Sequence, residues 1–167
     1  MMNRLLDSVP SETRDVLRRQ GRVANDIDWP YRVARTKGWS AANLEYDRAQ
    51  RGLGRGEMQS LMAALHLIRP IDAIVARDLV IAAADLFLCT DDRRMVSRIK
   101  EGELRLYGTH CPLYDHFVDP RWHGLTACGC FARRGGWYDA LGIDVEEEVL
   151  MLKKWGDPVC QLAVRFN

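Results

Sequence analysis

The chain has 167 residues, 47% of them hydrophobic, and its 24 Lys and Arg against 23 Asp and Glu give a formal net charge of +1. This length can bury one sizeable core but is short for two, so we predict a single domain over residues 1–167, with residues 1–28 as a peripheral N-terminal arm or helix. The balanced charge, without a long basic block, argues against nucleic acid as a partner.

The sequence favours a soluble cytoplasmic domain that does not associate with a membrane. The start, "MMNRLLDSVPSETRD", lacks the continuous apolar stretch of a secretory signal. The longest apolar segment, "IDAIVARDLVIAAADLFL", contains four charged residues that a bilayer would tolerate poorly, namely Asp72, Arg77, Asp78 and Asp85. Five cysteines without an export signal are typical of reduced thiols rather than of a disulfide framework.

The first half of the chain is predicted to be helical. "PSETRDVLRRQ" predicts a short first helix. "WPYRVARTKGWSAANLEYDRAQRG" predicts a second helix from Pro30 to Gly52, weakened in the middle by Gly38. "GEMQSLMAALHLIR" predicts a third helix that ends before Pro70, and "RGLGRGE" is predicted to be the turn that joins these two. A fourth helix, apolar except for one polar edge, is expected from Pro70 to about Leu88.

The second half changes to strand patterns. "RRMVSRIKEGELRLYGTHCP" alternates and predicts a hairpin that turns at Glu101–Gly102. "GLTACGCFARRGGWYDALG" predicts a helix from about Leu125 to Leu141, with a kink at Gly135–Gly136. "EEEVLMLKKWGDPVCQLAVRF" predicts two strands around "WGDP". Without strand–helix–strand alternation, the predicted fold class is α+β, with N-terminal helices packed on an antiparallel sheet formed mainly by the C-terminal half.

Several familiar chemistries are excluded by spacing. No Gly-x-Gly-x-x-Gly follows a strand, and no phosphate loop ends in Gly-Lys-Ser/Thr. A Gly-x-Ser-x-Gly elbow and a His-Glu-x-x-His pair are also missing. The segment 107–130, "YGTHCPLYDHFVDPRWHGLTACGC", instead holds three of the four histidines and three of the five cysteines. The remaining candidates for catalysis or binding in this sequence are therefore its thiol and imidazole groups.

Cys111 occupies the end of a predicted strand, where the sheet edge opens into a turn at Pro112. His110 precedes it, but neighbours along a strand point to opposite faces, so direct contact is not expected while the strand continues. His116 returns toward Cys111 if "PLYDHF" makes a helical turn. Cys111 and His116 are thus a candidate nucleophile and its imidazole partner.

Three chain segments can bring one cysteine each to a common point. Cys128 and Cys130 lie about 200° apart on a predicted helix, so one of the two can face Cys111 and Cys160. Three interpretations stay open: ordinary core cysteines, a thiol catalyst, or a metal site completed by His110, His116 or His123. The chain lacks the paired Cys-x-x-Cys spacing of structural zinc sites, which disfavours the metal.

Three motifs resemble the L-2-amino-thiazoline-4-carboxylic acid hydrolase-like family, including its uncharacterised relatives. They are "CPLY" at Cys111–Tyr114, "CGC" at Cys128–Cys130 and "GDPVCQLAVRF" at Gly156–Phe166. The helical first half, with "GWSAANLEYDRAQRGLG", is similar in layout, so the resemblance covers about residues 29–166. It implies a thiol-dependent hydrolase, without a cofactor, that opens a small heterocycle at a C=N carbon of the amidine or thiazoline type.

The resemblance implies family-like positions for Cys111, Cys128, Cys160 and Asp157, and the chemistry of a thiol-dependent hydrolase adds the other candidates. The expected catalytic residues are Cys111, His116, Asp157 and Cys160. The expected substrate-binding residues are Cys128, Cys130, Arg133 and Arg134, one of the two arginines holding a substrate carboxylate as a bidentate partner. The chain departs from the family pattern where an acidic residue usually follows the helix cysteine by three positions, because Phe131 and Arg133 stand there. This difference predicts another substrate or a lost activity.

The expected partner is a small-molecule substrate that bears a carboxylate. Two alternatives from other classes stay open: a metal-binding domain or enzyme that uses the Cys and His cluster, and a non-catalytic domain that binds a small molecule. The sequence leaves both a monomer and a homo-oligomer open.

Overall fold

The computed structural model of the chain describes residues 4–23, 28–70, 72–88, 94–100, 103–110, 119–126 and 128–166. Within them the α-helices are α1 (Arg4–Asp7), α2 (Ser11–Val23), α3 (Trp29–Lys37), α4 (Trp39–Ala64), α5 (Ala73–Ala83) and α6 (Gly129–Leu141). A π-helical segment, Ala84–Leu88, continues α5, and 3-10 turns span Pro120–Trp122 and Lys153–Trp155. The strands are β1 (Arg94–Lys100), β2 (Glu103–His110), β3 (Val145–Met151) and β4 (Cys160–Phe166).

The four strands form one antiparallel sheet in the order β1-β2-β4-β3. Both predicted hairpin pairings are confirmed, β1 with β2 and β3 with β4. The predicted turn residues Glu101 and Gly102 lie outside the described residues. The α+β class with an antiparallel sheet in the C-terminal half is therefore confirmed.

One face of the sheet packs against the helices. Leu104 pairs with Val164 and Leu106 with Leu162, and all four side chains are buried. Because side chains alternate along a strand, these four share one face. The same hydrophobic cluster contains residues of α5 and of the π-helical segment, including Leu79, Val80, Leu86, Phe87 and Leu88. The opposite face carries ion pairs such as Arg165 with Glu103, 2.5 Å apart.

The first two helices are part of the core. Leu6 of α1 and Leu17 of α2 belong to the main hydrophobic cluster, and Val9 between the helices is 1% exposed. Leu6, Val9 and Leu17 are therefore buried in the body of the fold, and the single domain with residues 1–28 as a peripheral arm or helix stays a prediction.

Two helix boundaries differ from the predicted ones. Gly38 has a φ of 82° and separates α3 from α4, so the predicted second helix is two helices. The fourth predicted helix begins at Ala73, where the Asp72 side chain accepts a 2.8 Å hydrogen bond from the backbone N–H of Val75. This Asp72 cap explains why the helix starts three residues after Pro70.

The prediction of a turn at "RGLGRGE" is wrong, because this segment lies inside the 26-residue helix α4. Glycine costs about 1 kcal/mol relative to alanine in a helix, so tertiary packing must offset it. A Cβ on Gly54 would overlap the carbonyl oxygen of Arg133 in α6, and a Cβ on Gly136 would overlap that of Arg51 in α4. The glycines therefore allow α4 and α6 to approach closely.

No helix within the described ranges is both long and apolar enough to cross a bilayer.

Candidate thiol site

The N-terminal end of α6 and the first residue of β4 bring thiols into one neighbourhood. Cys128 is the N-cap residue of α6 and Cys130 lies in its first turn, while Cys160 pairs with Gly108 of β2. None of the three forms a disulfide within the described part of the chain; Cys130 is buried and the other two are half-buried. Cys130 and Cys160 lie close enough to interact electrostatically. Of the two helix cysteines, the structure thus brings Cys130 near Cys160. We call Cys128, Cys130 and Cys160 the thiol site.

The predicted nucleophile is Cys111, and its predicted imidazole partner is His116. Cys111 and His116 lie outside the described residues, as does the side chain of His110, although β2 ends at His110 as predicted. His123 follows the Pro120–Trp122 turn and is exposed. Over the described ranges, no group of three or more His, Cys, Asp or Glu side chains is arranged to hold a metal ion. The roles of Cys111 and His116 stay predictions.

Arg134 is completely buried between α6 and the sheet. Its Nε and Nη2 donate to the two carboxylate oxygens of Glu147, at 3.0 and 2.6 Å. The Tyr138 hydroxyl donates to the same carboxylate at 2.9 Å. The Phe131 ring lies against one face of the guanidinium, 4.8 Å from its central carbon. Arg134 is therefore held by Glu147 along one edge and by Phe131 on one face, and Tyr138 holds the Glu147 carboxylate in place.

The charges of this group reinforce one another. Burial acts to raise the pKa of Glu147, but the Arg134 charge and the hydrogen bonds from Arg134 and Tyr138 outweigh it, and the pKa is lowered. Burial acts to lower the pKa of Arg134, but Glu147 outweighs it and the pKa is raised. Burial, followed by the Glu147 charge, raises the pKa of Tyr138. Arg134 and Glu147 are therefore charged, and Tyr138 is neutral, at physiological pH.

Arg134 retains one unused donor group. Its Nη1 is buried, and no hydrogen-bond acceptor among the described residues reaches it. A buried donor without a partner costs about 1–3 kcal/mol, so an anionic oxygen bound there would recover that energy. The Arg134 charge acts on both Cys130 and Cys160. An unused cationic donor and two thiols therefore share one buried neighbourhood.

Arg133, the other predicted carboxylate ligand, faces α4. Its Nε donates to Glu57 Oε2 at 2.8 Å and its Nη2 donates to Glu57 Oε1. The indole N–H of Trp137 donates to the same carboxylate at 3.0 Å. Because Arg133 and Glu57 are both buried, this pair joins α4 to α6 in the interior. Arg133 is therefore engaged by a carboxylate of the protein itself, and a substrate-binding role for either arginine stays a prediction.

The loop between β3 and β4 is held by Asp157. Its Oδ2 accepts a 2.7 Å hydrogen bond from the backbone N–H of Leu152, while Gly156 adopts a φ of 97°. This contact shapes the loop that leads into Cys160. A catalytic role for Asp157 stays a prediction, and its observed contact is structural.

Lys154 reaches from the same loop to the start of α6. Its Nζ donates to the backbone carbonyls of Leu125 and Thr126, at 3.0 and 2.6 Å. Burial lowers the pKa of Lys154, while the nearby Cys128 acts to raise it. An amine is thus held close to the N-cap thiol of α6.

Cys160 is poorly suited to act as a thiolate. Burial raises the pKa of its thiol, and this outweighs a backbone hydrogen bond from Lys153 and the charge of Arg134. Since the thiolate is the nucleophilic form, Cys160 in its resting environment is a weak nucleophile at neutral pH. We therefore expect it to line the site.

Sequence reasoning missed four residues of this region, of which two had a visible signal. Glu147 lies between Val145 and Val149 on the alternating face of β3 that packs against the core. A carboxylate at a buried strand position predicts a buried cation as its partner. Tyr138 lies one helical turn after Arg134, a spacing at which side chains meet. Nothing in the local sequence signals the contacts of Glu57 or Lys154, which are long-range.

No protein-family model matches the chain, and no curated protein is similar to it in sequence. Among solved structures it is similar to a trafficking protein particle complex subunit 3 from Naegleria fowleri, whose crystal structure is described as covalently bound to palmitic acid. The two share 16% sequence identity with a TM-score of 0.50, over 93% of this chain and 95% of that chain. At this identity the likeness is one of fold alone, and the resemblance to the thiazoline hydrolase-like family stays a prediction.

Proposed function

We propose that the thiol site binds a small molecule that bears a carboxylate and that a cysteine thiol opens a C=N-containing ring of this molecule by hydrolysis. The observation that carries the proposal is the buried guanidinium of Arg134, with its unused Nη1, beside Cys130 and Cys160. This combination matches the two needs of such a substrate, a cation for its carboxylate and a thiol for its electrophilic carbon.

Arg134 is preorganised for this binding. Glu147 holds the Nε and Nη2 edge of the guanidinium, so the donor that remains for a ligand has one fixed direction. A charge-assisted hydrogen bond is strongest where water is excluded, and Arg134 is fully buried. The ligand carboxylate would therefore gain a strong contact at little cost in protein reorganisation.

The reaction follows from thiol chemistry. The thiolate bonds to the C=N carbon, a ring bond from that carbon breaks, and the departing ring atom takes a proton. Water then attacks the same carbon and releases the enzyme thiol, so the net change is the addition of one water. The sequence predicts Cys111 as nucleophile and His116 as the proton carrier. Cys111→Ser then abolishes turnover and leaves the thermal midpoint nearly unchanged, which an activity assay and a melting curve check together.

A second candidate, binding without hydrolysis, is favoured by the fold. The structure from Naegleria fowleri holds palmitic acid covalently and belongs to a subunit of a complex. The equivalent proposal here is an acyl group on a cysteine, in an assembly with further copies or other subunits. Intact-mass analysis before and after hydroxylamine treatment tests it, since this reagent removes thioester-linked acyl groups. A metal-binding role has no supporting geometry in the described part of the chain.

The experiment for the main proposal is a calorimetric titration with a paired ligand. The acid form of a 2-amino-thiazoline carboxylate is compared with its methyl ester, which has the same ring but no anionic oxygen. We expect the acid to bind the wild-type protein and the ester to bind at least ~10-fold more weakly, because a charge-assisted hydrogen bond is lost. Equal affinities for acid and ester would overturn the proposal.

Arg134→Lys is the variant for this titration, since lysine keeps the charge beside Glu147 and lacks the Nη1 donor. Arg165→Lys is the matched control, because Arg165 lies on the opposite face of the sheet among exposed ion pairs. We expect Arg134→Lys to lose the preference for acid over ester and Arg165→Lys to keep it. A preserved preference in folded Arg134→Lys protein would assign the carboxylate to another residue.

A further inference from the structure

We propose that Arg98 of β1 and Arg105 of β2 form a binding site for a phosphate-type oxyanion on the outer face of the sheet, the face that points away from the helices. The thiol site lies on the helix side of the same sheet. The two sites are therefore separate, and the oxyanion site does not depend on the proposed function.

The strand register places the two arginines side by side. Arg105 lies between Leu104 and Leu106, whose side chains are buried on the helix side, so the Arg105 side chain lies on the outer face. Arg98 is the residue directly opposite Arg105 in β1. The Cβ atoms of directly opposite residues in an antiparallel pair are about 4.5–5.5 Å apart. One anion can therefore contact both guanidinium groups.

Arg105 has a buried donor that is not used. Its side chain is 15% exposed, and its Nη2 forms an ion pair with Glu103 Oε2 at 2.5 Å. Its Nε is buried, and no hydrogen-bond acceptor of the described residues reaches it. Leaving a buried donor without a partner costs free energy, which an anionic oxygen bound at Nε would recover.

The positive charge of this hairpin exceeds the negative charge beside it. Among the described residues no carboxylate pairs with the exposed Arg98, whose guanidinium carbon lies 5.8 Å from the centre of the Tyr107 ring. Glu103 is shared, because its Oε1 accepts a 2.5 Å hydrogen bond from Arg165 Nε. Like charges directly opposite each other destabilise a strand pair. A bound anion would remove this repulsion between Arg98 and Arg105.

A phosphate group fits this arrangement better than a carboxylate does. Arginine binds phosphate oxygens through its planar set of N–H donors. A phosphate monoester has three terminal oxygens and a charge of about −1.5 to −2 at neutral pH. It can thus contact Arg105 Nε and the Arg98 guanidinium together, whereas a carboxylate has two oxygens and a single charge.

The experiment is an NMR titration of the full chain with inorganic phosphate at neutral pH and constant ionic strength, which follows the arginine Nε–H signals. We expect the Arg105 signal to shift and to saturate, because its Nε gains an acceptor. Acetate is titrated in parallel and is expected to bind at least ~10-fold more weakly, since it offers fewer oxygens and less charge. An Arg105 signal that does not move, or equal affinities for phosphate and acetate, would overturn the proposal.

A third titration, with phenyl phosphate, distinguishes a phosphate ester from the free ion. The Tyr107 ring lies beside Arg98, so an aromatic ester has a surface on which to pack. Tighter binding of phenyl phosphate than of inorganic phosphate supports the site with an ester as its ligand. Tighter binding of inorganic phosphate supports the site with the free ion as its ligand.

Two variants test the contribution of Arg98. Arg98→Gln removes an exposed guanidinium, so we expect a folded protein that binds phosphate about 10-fold more weakly. Arg48→Gln is the matched control, because it removes the same charge from an exposed position of α4. We expect this control to bind phosphate as the wild type does. Equal phosphate affinities for the two variants would reject the paired-arginine site.

Discussion

At the scale of single residues, α6 contains two adjacent arginines whose side chains bind carboxylates on different elements. Arg133 points to Glu57 of α4 and Arg134 to Glu147 of β3, and both guanidinium groups are buried. Burying a guanidinium without a carboxylate is prohibitive, so each arginine needs its own partner. The difference between them is the unused Nη1 of Arg134, which makes that residue the ligand-binding candidate.

Removal of Glu57 tests the structural half of this division. Glu57→Ala leaves Arg133 as a buried charge without its carboxylate and removes the acceptor of the Trp137 N–H. We expect a loss of about 3–5 kcal/mol in the free energy of unfolding, measured by chemical denaturation. Glu45→Ala, which breaks the exposed pair with Lys37, serves as control and should cost less than about 1 kcal/mol. Similar costs for the two variants would contradict the interpretation.

We expect the Asp139 carboxylate to stabilise the fold by an amount that depends on pH. Hydrogen bonds from Arg51, followed by those from Arg55, lower its pKa from 3.8 to about 2. A lowered pKa in the folded state stabilises the fold above the unfolded value and loses that effect as pH falls through the folded value. Asp139→Asn should therefore be less stable than the wild type at pH 7. The gap should close between pH 3.8 and about pH 2.

Denaturation curves at several pH values check this, and added salt should narrow the gap at pH 7, because Arg51 and Arg55 are half-exposed. A gap of constant size from pH 7 to pH 2 would show that the substitution acts through packing instead.

At the scale of elements, the contact of α4 with α6 sets the position of the thiol site. Gly54 and Gly136 let the two backbones approach, and Asn43 of α4 binds the segment before α6 through the carbonyl of Gly124, at 2.8 Å. The Asn43 side chain also accepts a 2.8 Å hydrogen bond from the N–H of Thr126. The N-terminus of α6, with Cys128, is therefore placed by α4 as well as by Lys154.

Glycine substitutions test this close approach. Gly54→Ala and Gly136→Ala should each destabilise the protein by about 1–3 kcal/mol or more, because the added methyl meets backbone of the other helix. Gly52→Ala and Gly56→Ala are controls in α4, the helix of Gly54. Each adds the same methyl group at a position where no atom lies within 4 Å of the added Cβ. These two should raise stability by up to about 1 kcal/mol, since alanine is the better helix former.

Gly135→Ala is the matched control for Gly136→Ala, as its Cβ would make ordinary contact with the Arg51 side chain, 3.7 Å at the nearest atom. Thermal or urea unfolding of all five variants gives the ranking. A stable Gly54→Ala or Gly136→Ala protein would mean that the helices are farther apart than described.

At the scale of the whole molecule, helices from both ends of the fold and one sheet face share the main hydrophobic cluster. Leu17 of α2 is 4% exposed within it, while its neighbour Val16 is 44% exposed. Leu17→Ala should therefore cost about 2–5 kcal/mol in denaturation experiments, as for other buried leucines. Val16→Ala should stay within about 0.5 kcal/mol of the wild type. Equal, small effects would instead support a peripheral N-terminal arm.

The sequence predicts the architecture better than the interior of the site. The strands were predictable because β2 and β4 alternate, with Leu104 and Leu162 on the buried face. The glycines of α4 misled the prediction because their fit depends on α6, about 80 residues away in the chain. The sequence indicates the adjacent arginines as candidate ligands, but tertiary contacts determine which carboxylate each arginine binds. The hydrogen bonds of Lys154 likewise have no signal in the local sequence, because their acceptors lie far away in the chain.

The central claim is that Arg134 uses its Nη1 to bind a carboxylate beside the thiol site. NMR of the arginine guanidinium groups, during titration with the thiazoline carboxylate and separately with its methyl ester, observes this contact directly. The account predicts that the Nη1 resonance of Arg134 shifts with the acid and stays in place with the ester. An Arg134 resonance that responds to neither ligand, or equally to both, would contradict it.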